Sequence, residues 1–268
     1  MAITGRTRLF CVLGDPIVQA QAPALLNPLL DRLGVDAVLV PVHAPADRLD
    51  AIVAGLKPIA NLDGMLVTIP HKLPMCAHAD ELSDTAALLG STNALRREPD
   101  GHWYADNFDG AGFVDGLAAE GHQWTGRVVA LAGAGGAGLA MAAALMAAGA
   151  GRIDVADPDT QRLTAFLTRL EPRWPGRVLA ACGPPAPDTA IAVNATPLGL
   201  RPADPLPFEP ARLPSATLVA DIIMRPAETR LLRAATALGL PTHPGIHMLR
   251  HQLPLYQEFF RLPATPAD

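Results

Sequence analysis

The glycine-rich run at residues 128–138 constrains the fold of this chain more than any other part of its sequence. The run reads VVALAGAGGAG, so a GAGGAG pattern follows an apolar, strand-like segment and precedes an alanine-rich, helix-like one. In a dinucleotide-binding turn, glycines permit the tight turn, let the backbone approach a pyrophosphate and let the helix pack on the strand. The phosphates then meet the amide hydrogens at the start of the helix. The predicted phosphate-binding residues are Gly133, Ala134, Gly135, Gly136, Ala137 and Gly138.

Two other interpretations of this run are open. The glycines could serve only to pack two buried elements. Alternatively, residues 128–150 could form a membrane-spanning helix, because they carry no charged side chain. The glycines lie near the start of the run, however, and divide a short strand-like part from a longer helix-like part. This arrangement favours a buried strand, a tight turn and a buried helix over a membrane span.

The composition favours small-molecule chemistry. The 268 residues are 50% hydrophobic and only 18% charged, with a formal net charge of −5. The apolar content is sufficient for real cores, and no basic patch indicates a nucleic acid or an anionic membrane as partner. The first fifteen residues lack an apolar segment followed by a cleavage site, so no secretory signal is predicted and a cytoplasmic location is expected.

The acidic residue Asp157 bears on the choice of dinucleotide. It lies 19 residues after Gly138, at the end of the next predicted strand, where an acidic side chain bonds the ribose hydroxyls. A carboxylate there repels the 2′-phosphate of NADP, and the next residues, Pro158-Asp159-Thr160, include no arginine. We therefore expect NAD as the cofactor, with NADP less favoured. The alternative role for Asp157 is a helix N-cap.

The cysteines and histidines do not predict a metal site. Cys11, Cys76 and Cys182 are far apart in the sequence, and we interpret them as reduced thiols packed as small hydrophobic groups. His247 and His251 are four apart on a predicted helix and could share a zinc ion, but no third ligand is evident in the sequence. No metal is expected.

Alternating apolar runs and helix-like segments predict two α/β sheets, one on each side of a connecting helix within residues 107–121. Several motifs occur in order along this framework. They are residues 14–17 (GDPI), 64–72 (GMLVTIPHK), 91–94 (STNA), 107–113 (NFDGAGF), 194–199 (NATPLG), 221–226 (DIIMRP) and 245–252 (GIHMLRHQ). Together with the glycine run, this ordered set resembles the shikimate/quinate dehydrogenase family over nearly the whole chain.

The resemblance implies a two-domain α/β enzyme. It assigns residues 1–109 to an N-terminal substrate domain, 110–241 to a Rossmann domain, and 242–268 to a C-terminal helix that returns to the first domain. The family uses a lysine and an aspartate as a pair on the hydroxyl that loses hydride, and Lys72 and Asp109 match them. Proton removal makes an alcohol a better hydride donor. On spacing alone, a surface lysine and a helix-capping aspartate would be the simpler interpretation.

The resemblance also implies roles for further residues. Asn93, Gln252 and Thr68 match positions that hold substrate hydroxyls; taken alone, Asn93 is a turn residue and Gln252 a helix-surface residue. The turn that contains Asn194 and Thr196 matches the stretch that passes the nicotinamide ribose. The full set of additional cofactor-binding positions is Asn194, Thr196, Pro197, Ile223, Gly245 and Met248. Met248 has core packing as its alternative role.

The sequence departs from the family pattern at five polar positions. Ala20 and Ala22 replace the two serines that grip the substrate carboxylate, and Leu66, Phe108 and Met224 replace an Asn, a Thr and a Tyr. Each lost hydrogen bond to a charged group is worth about 1.5–3 kcal/mol, so the carboxylate should bind more weakly than in the family. Gln19 and Gln21 are the predicted substitute contacts, with Arg225 and His247 as further possibilities.

These observations predict an NAD-dependent oxidoreductase that acts on a ring hydroxyl of a shikimate- or quinate-like hydroxy acid, in aromatic amino acid biosynthesis or quinate catabolism. Two alternatives stay open. One is a dehydrogenase of a non-carboxylated or aromatic-like alcohol, as Ala20, Ala22 and Phe108 suggest. The other is a catalytically silent NAD-binding sensor. A small-molecule substrate is the expected partner, and the sequence leaves a homodimer open.

Overall fold

The structure is a computed structural model that describes residues 2–183 and 185–264. Strands and helices alternate along most of these residues. The strands are β1 (Arg8–Gly14), β2 (Ala37–His43), β3 (Leu62–Val67), β4 (Glu81–Leu82), β5 (Ala94–Arg97), β6 (Trp103–Asp106), β7 (Val128–Ala132), β8 (Arg152–Ala156), β9 (Val178–Ala180), β10 (Thr189–Asn194), β11 (Leu218–Asp221) and β12 (Thr242–Pro244). The helices are α1 (Ala22–Arg32), α2 (Leu49–Leu56), α3 (Asp84–Leu89), α4 (Asp109–Ala119), α5 (Gly136–Ala147), α6 (Thr160–Leu170), α7 (Arg230–Ala237) and α8 (Ile246–Phe259).

The chain divides into two compact units. The first unit comprises Met1–Phe108 together with Gln252–Asp268, and the second comprises Asp109–His251. The C-terminal segment therefore belongs to the same unit as the N-terminal sheet. Each unit is built around one six-stranded sheet.

The sheet of the first unit has the strand order β2-β1-β3-β5-β6-β4. β1 pairs in parallel with β2 and β3, whereas β5 pairs antiparallel with both β3 and β6. Just past the C-terminal end of α8, Phe260 packs on this sheet, with its ring centroid 4.9 Å from that of Phe10. Gly64 makes room for this contact, because a Cβ there would lie 2.4 Å from the Phe260 ring.

The sheet of the second unit is parallel throughout its described pairings, with the order β12-β11-β10-β7-β8-β9. Read from the opposite edge, this is the 3-2-1-4-5-6 order of the Rossmann fold. The predicted α/β fold with a Rossmann unit is therefore confirmed. The strand order reverses between β7 and β10, which places the ends of these two strands at the topological switch point where such folds bind ligands.

α5 has apolar residues around its whole circumference because most of its surface is buried against other elements. Eight of its residues are buried, among them Met141 and Leu145. Its alanines and glycines allow close approach by α4, where Gly110 faces it. A Cβ at Gly110 would lie 2.2 Å from the Ala140 carbonyl oxygen. This packing explains why an uncharged run of this length belongs to a buried helix.

The cysteines divide by burial. Cys11 is 1% exposed in the core of the first unit, and burial raises the pKa of its thiol to about 12. Cys182 is exposed, so the interpretation of all three cysteines as packed thiols is wrong for this one. Among the described helices, none combines the length and the apolar character that crossing a bilayer requires.

Candidate active site

The glycine loop joins β7 to α5 with its backbone open to a ligand. Gly133 has a φ of +106°, a left-handed conformation that glycine adopts without strain. A Cβ at Gly138 would lie 2.1 Å from the Gly133 carbonyl oxygen, so the helix start packs directly on the turn. A Cβ at Gly135 or Gly136, by contrast, would have open space around it. Apart from the neighbouring residues and the backbone of α5 itself, no atom would lie within 4 Å. Open space beside the N-terminus of a long helix fits a pyrophosphate.

Asp157 is hydrogen-bonded to this loop. Its Oδ2 accepts from the Ala134 N–H at 2.8 Å, and its Oδ1 accepts from the Asp159 N–H at 2.9 Å. Arg162, in the first turn of α6, donates to both oxygens, at 3.0 and 2.7 Å. Burial raises the pKa of Asp157, but the Arg162 guanidinium and the two backbone donors outweigh it, so the pKa lies below its usual value. Asp157 is therefore an ionised and paired carboxylate, and the N-cap of α6 is Asp159.

A second polar network lies at the end of β10. The Asn194 amide donates to Asp221 Oδ1 at 3.1 Å, and its Oδ1 accepts from the Thr196 N–H at 3.0 Å and the Thr196 hydroxyl at 2.7 Å. Thr196 approaches the glycine loop, because a Cβ on Gly133 would lie 3.0 Å from its methyl group. Pro197 is the next residue of this turn. The structure thus brings the glycine loop, Asp157 and the predicted ribose turn together at the switch point.

Asp221 fixes the next turn of the second unit. It accepts from the Ile223 N–H at 3.0 Å and from the Thr229 hydroxyl at 2.7 Å, and Thr229 in turn caps α7. Burial raises the pKa of this carboxyl above its usual value despite these hydrogen bonds. Ile223, one of the predicted cofactor-binding residues, is consequently held at the start of the loop after β11.

Gly245 lies between β12 and α8, in close contact with the end of β11. A Cβ at Gly245 would lie 2.4 Å from the Ile222 carbonyl oxygen, so this glycine has close neighbours where Gly135 has open space. Met248 follows in the first turn of α8 and is 5% exposed. The structure therefore places Gly245 against Ile222, the residue before Ile223, with Met248 buried in the first turn of α8.

In the first unit, hydrogen bonds to backbone carbonyl groups fix the turn that carries Lys72. His71 is 1% exposed, and its Nε2 lies 2.7 Å from the Ala44 carbonyl oxygen. The carbonyl oxygen of Lys72 accepts from the Thr92 N–H at 2.8 Å. Thr68 begins the same turn and packs against Gly14 at the end of β1. Lys72 is thus held beside the segment that contains Asn93.

Asn93 and Gln252 are linked by a residue that the sequence did not single out. Asn93 Nδ2 donates to the Tyr256 hydroxyl oxygen at 3.2 Å, and the Tyr256 hydroxyl donates to Gln252 Oε1 at 2.6 Å. Asn93 Oδ1 accepts from the Phe108 N–H at 2.9 Å. The Phe108 ring also packs edge-on against the Tyr256 ring, with centroids 5.6 Å apart. The two predicted substrate amides therefore lie in one buried network.

The stretch that replaces the carboxylate-gripping serines is a short turn before α1. The Gln21 side-chain amide donates to the Gln19 carbonyl oxygen at 2.8 Å, so these two predicted substitutes contact each other. Ala20, in this turn, and Ala22, the first residue of α1, are only partly buried and offer methyl groups alone. Leu66 lies within β3 and is 2% exposed, as a core residue.

Asp109 is the first residue of α4 and belongs to the second unit, whereas Lys72 belongs to the first. Its side chain is almost fully buried, with 2% exposure. Just before it, Asn107 donates to the Ser91 hydroxyl at 3.0 Å and so fixes the chain that leads into the helix. The NFDGAGF motif is therefore ordered at its start by side-chain contacts.

Tyr256 and Arg162 are the two residues that sequence reasoning missed. Tyr256 follows Gln252 by four residues on α8, the spacing at which two side chains share a helix face. Arg162 follows Asp157 by five residues, across the start of α6. The helical spacing was a usable signal for Tyr256, and a search beyond the residues next to Asp157 would have found Arg162. Among the described residues, no group of three histidine, cysteine or acidic side chains is placed to hold a metal ion.

Known proteins resemble this chain well beyond the residues of the candidate site. The family profile described as shikimate dehydrogenase substrate binding domain matches residues 12–95. The shikimate dehydrogenase (NADP(+)) of Rubrobacter xylanophilus is 37% identical over 255 residues, which cover 93% of this chain and 89% of the relative.

Two solved structures show the same fold over nearly their full length. The shikimate 5-dehydrogenase of Thermus thermophilus, in complex with NADP(H) and shikimate, has a TM-score of 0.84 and 30% identity, and the match covers 97% of this chain and 96% of that one. The ligand-free 5-ketofructose reductase of Gluconobacter sp. strain CHM43 has a TM-score of 0.85 and 29% identity, and the match covers 98% and 96%.

These comparisons correct the cofactor prediction. Curated relatives at 33–37% identity are named shikimate dehydrogenase (NADP(+)), so the expectation of NAD with NADP less favoured is wrong. In the sequence, Asp157 stands as a negative charge with no arginine among the next three residues. Arg162 pairs with that carboxylate and removes the electrostatic basis of the argument.

Proposed function

Because this chain belongs to the shikimate dehydrogenase family, we propose that it transfers a hydride between NADP and a hydroxyl-bearing ring carbon of shikimate. The observation that carries the proposal is a match over nearly the whole chain. The sequence motifs that resemble the family contain Lys72, Asp109, Asn93 and Gln252 together. A catalytically silent dinucleotide sensor would not need the four together.

We assign the cofactor to the second unit. The open backbone at Gly135 and Gly136 would receive the pyrophosphate, and the turn that contains Thr196 would adjoin the nicotinamide ribose. Arg162, already paired with Asp157, supplies a positive charge beside the predicted site of the adenosine ribose. When bound, NADP supplies the nicotinamide ring that accepts or donates the hydride.

We assign proton transfer to Lys72 and Asp109. In the direction of alcohol oxidation, the substrate hydroxyl loses its proton to the Lys72 amine while its carbon loses hydride, so the product is a ketone. The resemblance assigns to Asp109, which is almost fully buried at the start of α4, the role of the carboxylate partner in this step. Asn93, Gln252 and Thr68 would bind the other ring hydroxyls as uncharged partners.

The test is to follow the absorbance of reduced nicotinamide while shikimate and NADP are offered to the protein. Lys72→Met should lower kcat by about 10²- to 10⁴-fold, because general acid–base catalysis contributes that much. The chain has only one other lysine, Lys57, which donates to the His78 carbonyl oxygen at 3.0 Å. Lys57→Met is the matched control and should keep kcat. Full activity of the Lys72 variant would refute the catalytic assignment, and binding of NADP without turnover of any alcohol would favour the sensor.

A second candidate function is the reduction or oxidation of a substrate that carries no carboxylate. The observation that favours it is the turn at residues 19–22, where Ala20 and Ala22 offer only methyl groups and the two glutamines contact each other. One structural neighbour is named 5-ketofructose reductase, and that sugar derivative carries no carboxylate. Shikimate, quinate and 5-ketofructose assayed in parallel separate the candidates, since only the second predicts turnover confined to the uncarboxylated compound.

A further inference from the structure

Tyr256 occupies a central position among the predicted substrate-binding side chains of the first unit. It lies on α8 and is only 4% exposed. Its ring packs between Phe108 and Phe260, with centroid distances of 5.6 and 6.2 Å. A buried tyrosine hydroxyl needs a hydrogen-bond partner, and here it has one on each side.

The hydroxyl completes a directed series of hydrogen bonds. The Phe108 N–H donates to Asn93 Oδ1 at 2.9 Å, Asn93 Nδ2 donates to the Tyr256 oxygen at 3.2 Å, and the Tyr256 hydroxyl donates to Gln252 Oε1 at 2.6 Å. Both amide oxygens thus accept from groups within the protein. Asn93 and Gln252 are each 2% exposed, so no bulk water can replace a lost partner cheaply.

This series fixes which end of each amide is oxygen and which is nitrogen. A side-chain amide can rotate by half a turn and exchange its acceptor for its donors. For Gln252, that rotation would place an NH₂ group against the Tyr256 hydroxyl and break the 2.6 Å bond. The tyrosine therefore holds Gln252 directly, and it holds Asn93 together with the Phe108 backbone.

We propose that Tyr256 is a positioning residue that fixes the Asn93 and Gln252 amides with their oxygens turned into the protein, so that the substrate is selected for oxygen atoms that accept from the NH₂ groups. This proposal rests on the proposed function. It gives the two amides added weight, because Ala20, Ala22 and Leu66 supply no polar side chain.

The two tyrosines of the chain provide a matched pair of variants. Tyr256→Phe keeps the ring and removes only the hydroxyl, and Tyr104→Phe makes the same change on β6, where the ring packs against Phe259. We expect Tyr256→Phe to raise the KM for shikimate about tenfold, with kcat and the KM for NADP changed less than about threefold. Tyr104→Phe should leave all three constants unchanged.

A double-mutant cycle separates positioning from a merely structural role. If Tyr256 acts through Gln252, adding Tyr256→Phe to Gln252→Ala should raise the KM much less than adding it to the wild type. Equal effects in both backgrounds would overturn the proposal, as would a Tyr256→Phe variant with wild-type KM. Thermal unfolding of every variant identifies any loss of folding.

Turnover of shikimate by the wild-type protein tests the proposed function separately from the role of Tyr256. Turnover by the wild type together with an unchanged Tyr256→Phe variant overturns the role of Tyr256 and leaves the function standing. If the wild type does not turn over shikimate, the proposed function fails, and the Kd for shikimate measured by calorimetry then judges Tyr256. An equal Kd in wild type and Tyr256→Phe, or no binding by either, overturns its role.

Discussion

The buried polar networks of the two units differ in what they hold in place. In the second unit, Asn194 and Asp221 bond mainly to turns near them in the chain, such as the Thr196 and Ile223 N–H groups. In the first unit, Asn93 and Tyr256 are 163 residues apart and bond side chain to side chain. The predicted cofactor site is therefore shaped by backbone, and the predicted substrate site by side chains that tertiary folding brings together.

This difference bears on how each site can change. A site shaped by backbone tolerates side-chain replacement as long as its glycines and turns persist, because its donors are peptide N–H groups. A site shaped by side-chain pairs changes its selectivity with a single substitution. The five departures from the family pattern fit this division, since four of them, Ala20, Ala22, Leu66 and Phe108, lie in the first unit and only Met224 lies in the second.

The largest expected effect is a loss of stability on substitution of a glycine in the loop between β7 and α5. Two glycines of this loop test whether the cofactor site is shaped by backbone. Gly138→Ala should lower the free energy of unfolding by about 3 kcal/mol, because its Cβ would lie 2.1 Å from the Gly133 carbonyl oxygen and overpacking is costly. Gly135→Ala should leave stability unchanged, since a Cβ there has no neighbour within 4 Å, and should raise the KM for NADP at least about tenfold.

Urea unfolding and cofactor kinetics on both variants check this pair. The N-cap position Gly135 has a φ of −79°, which any residue can adopt, so strain does not confound the comparison. Equal stability of the two variants, or an unchanged KM for NADP in Gly135→Ala, would contradict a cofactor site shaped by backbone at this loop.

The same division explains how far the sequence could predict the structure. The strand, tight turn and buried helix predicted for the glycine-rich run are β7, the glycine loop and α5, because apolar runs and glycines are local signals. β5 and β6 were not predicted. Their sequences, ALRR and WYAD, mix polar and apolar residues, and their antiparallel pairing depends on contacts with β3 and with each other.

For the candidate site, the family motifs identified Asn93 and Gln252 as residues but not their connection. That connection depends on the hydroxyl of Tyr256, and on α8 returning Gln252 and Tyr256 to the first unit. Arg162 was missed for a related reason, since it reaches Asp157 across the start of a helix and not along an extended chain. Contacts of this kind depend on the three-dimensional path of the backbone.

Arg162 tests the contrast between the two units from the other side. It is a side chain, yet we expect it to act at the predicted cofactor site, which is otherwise shaped by backbone. Arg162→Gln should raise the KM for NADP about 10- to 100-fold and that for NAD much less, since Asp157 would lose its cation and repel the 2′-phosphate. Arg169→Gln, two turns later on α6, is the control. Steady-state kinetics with both cofactors provide the measurement, and an unchanged ratio of the two KM values would contradict a role for Arg162 in NADP binding.

A histidine cluster in the second unit also packs side chain on side chain. His243 is 2% exposed on β12, and its ring lies 5.4 Å from that of His122 and 4.7 Å from that of His247. Its Nε2 has no hydrogen-bond partner among the described residues. Nearby, Glu120 Oε1 lies 3.3 Å from His247 Nδ1. Burial, and then the neighbouring histidines, lower the pKa of His243 to about 3.

The smallest expected effect is a pH dependence of the free energy of unfolding that arises from this cluster, and its sign follows from the pKa of His243. The pKa of His243 in the folded protein lies below its unfolded value of about 6.5, so the unfolded state binds more protons in acid. Stability from this group is complete above about pH 6.5 and falls as the pH drops towards about 3, by about 1–2 kcal/mol between pH 7 and 5. His243→Gln should flatten that slope in urea unfolding, whereas His102→Gln, at an exposed site, should keep it. An equal slope in His243→Gln and wild type would show that this cluster does not link folding to pH.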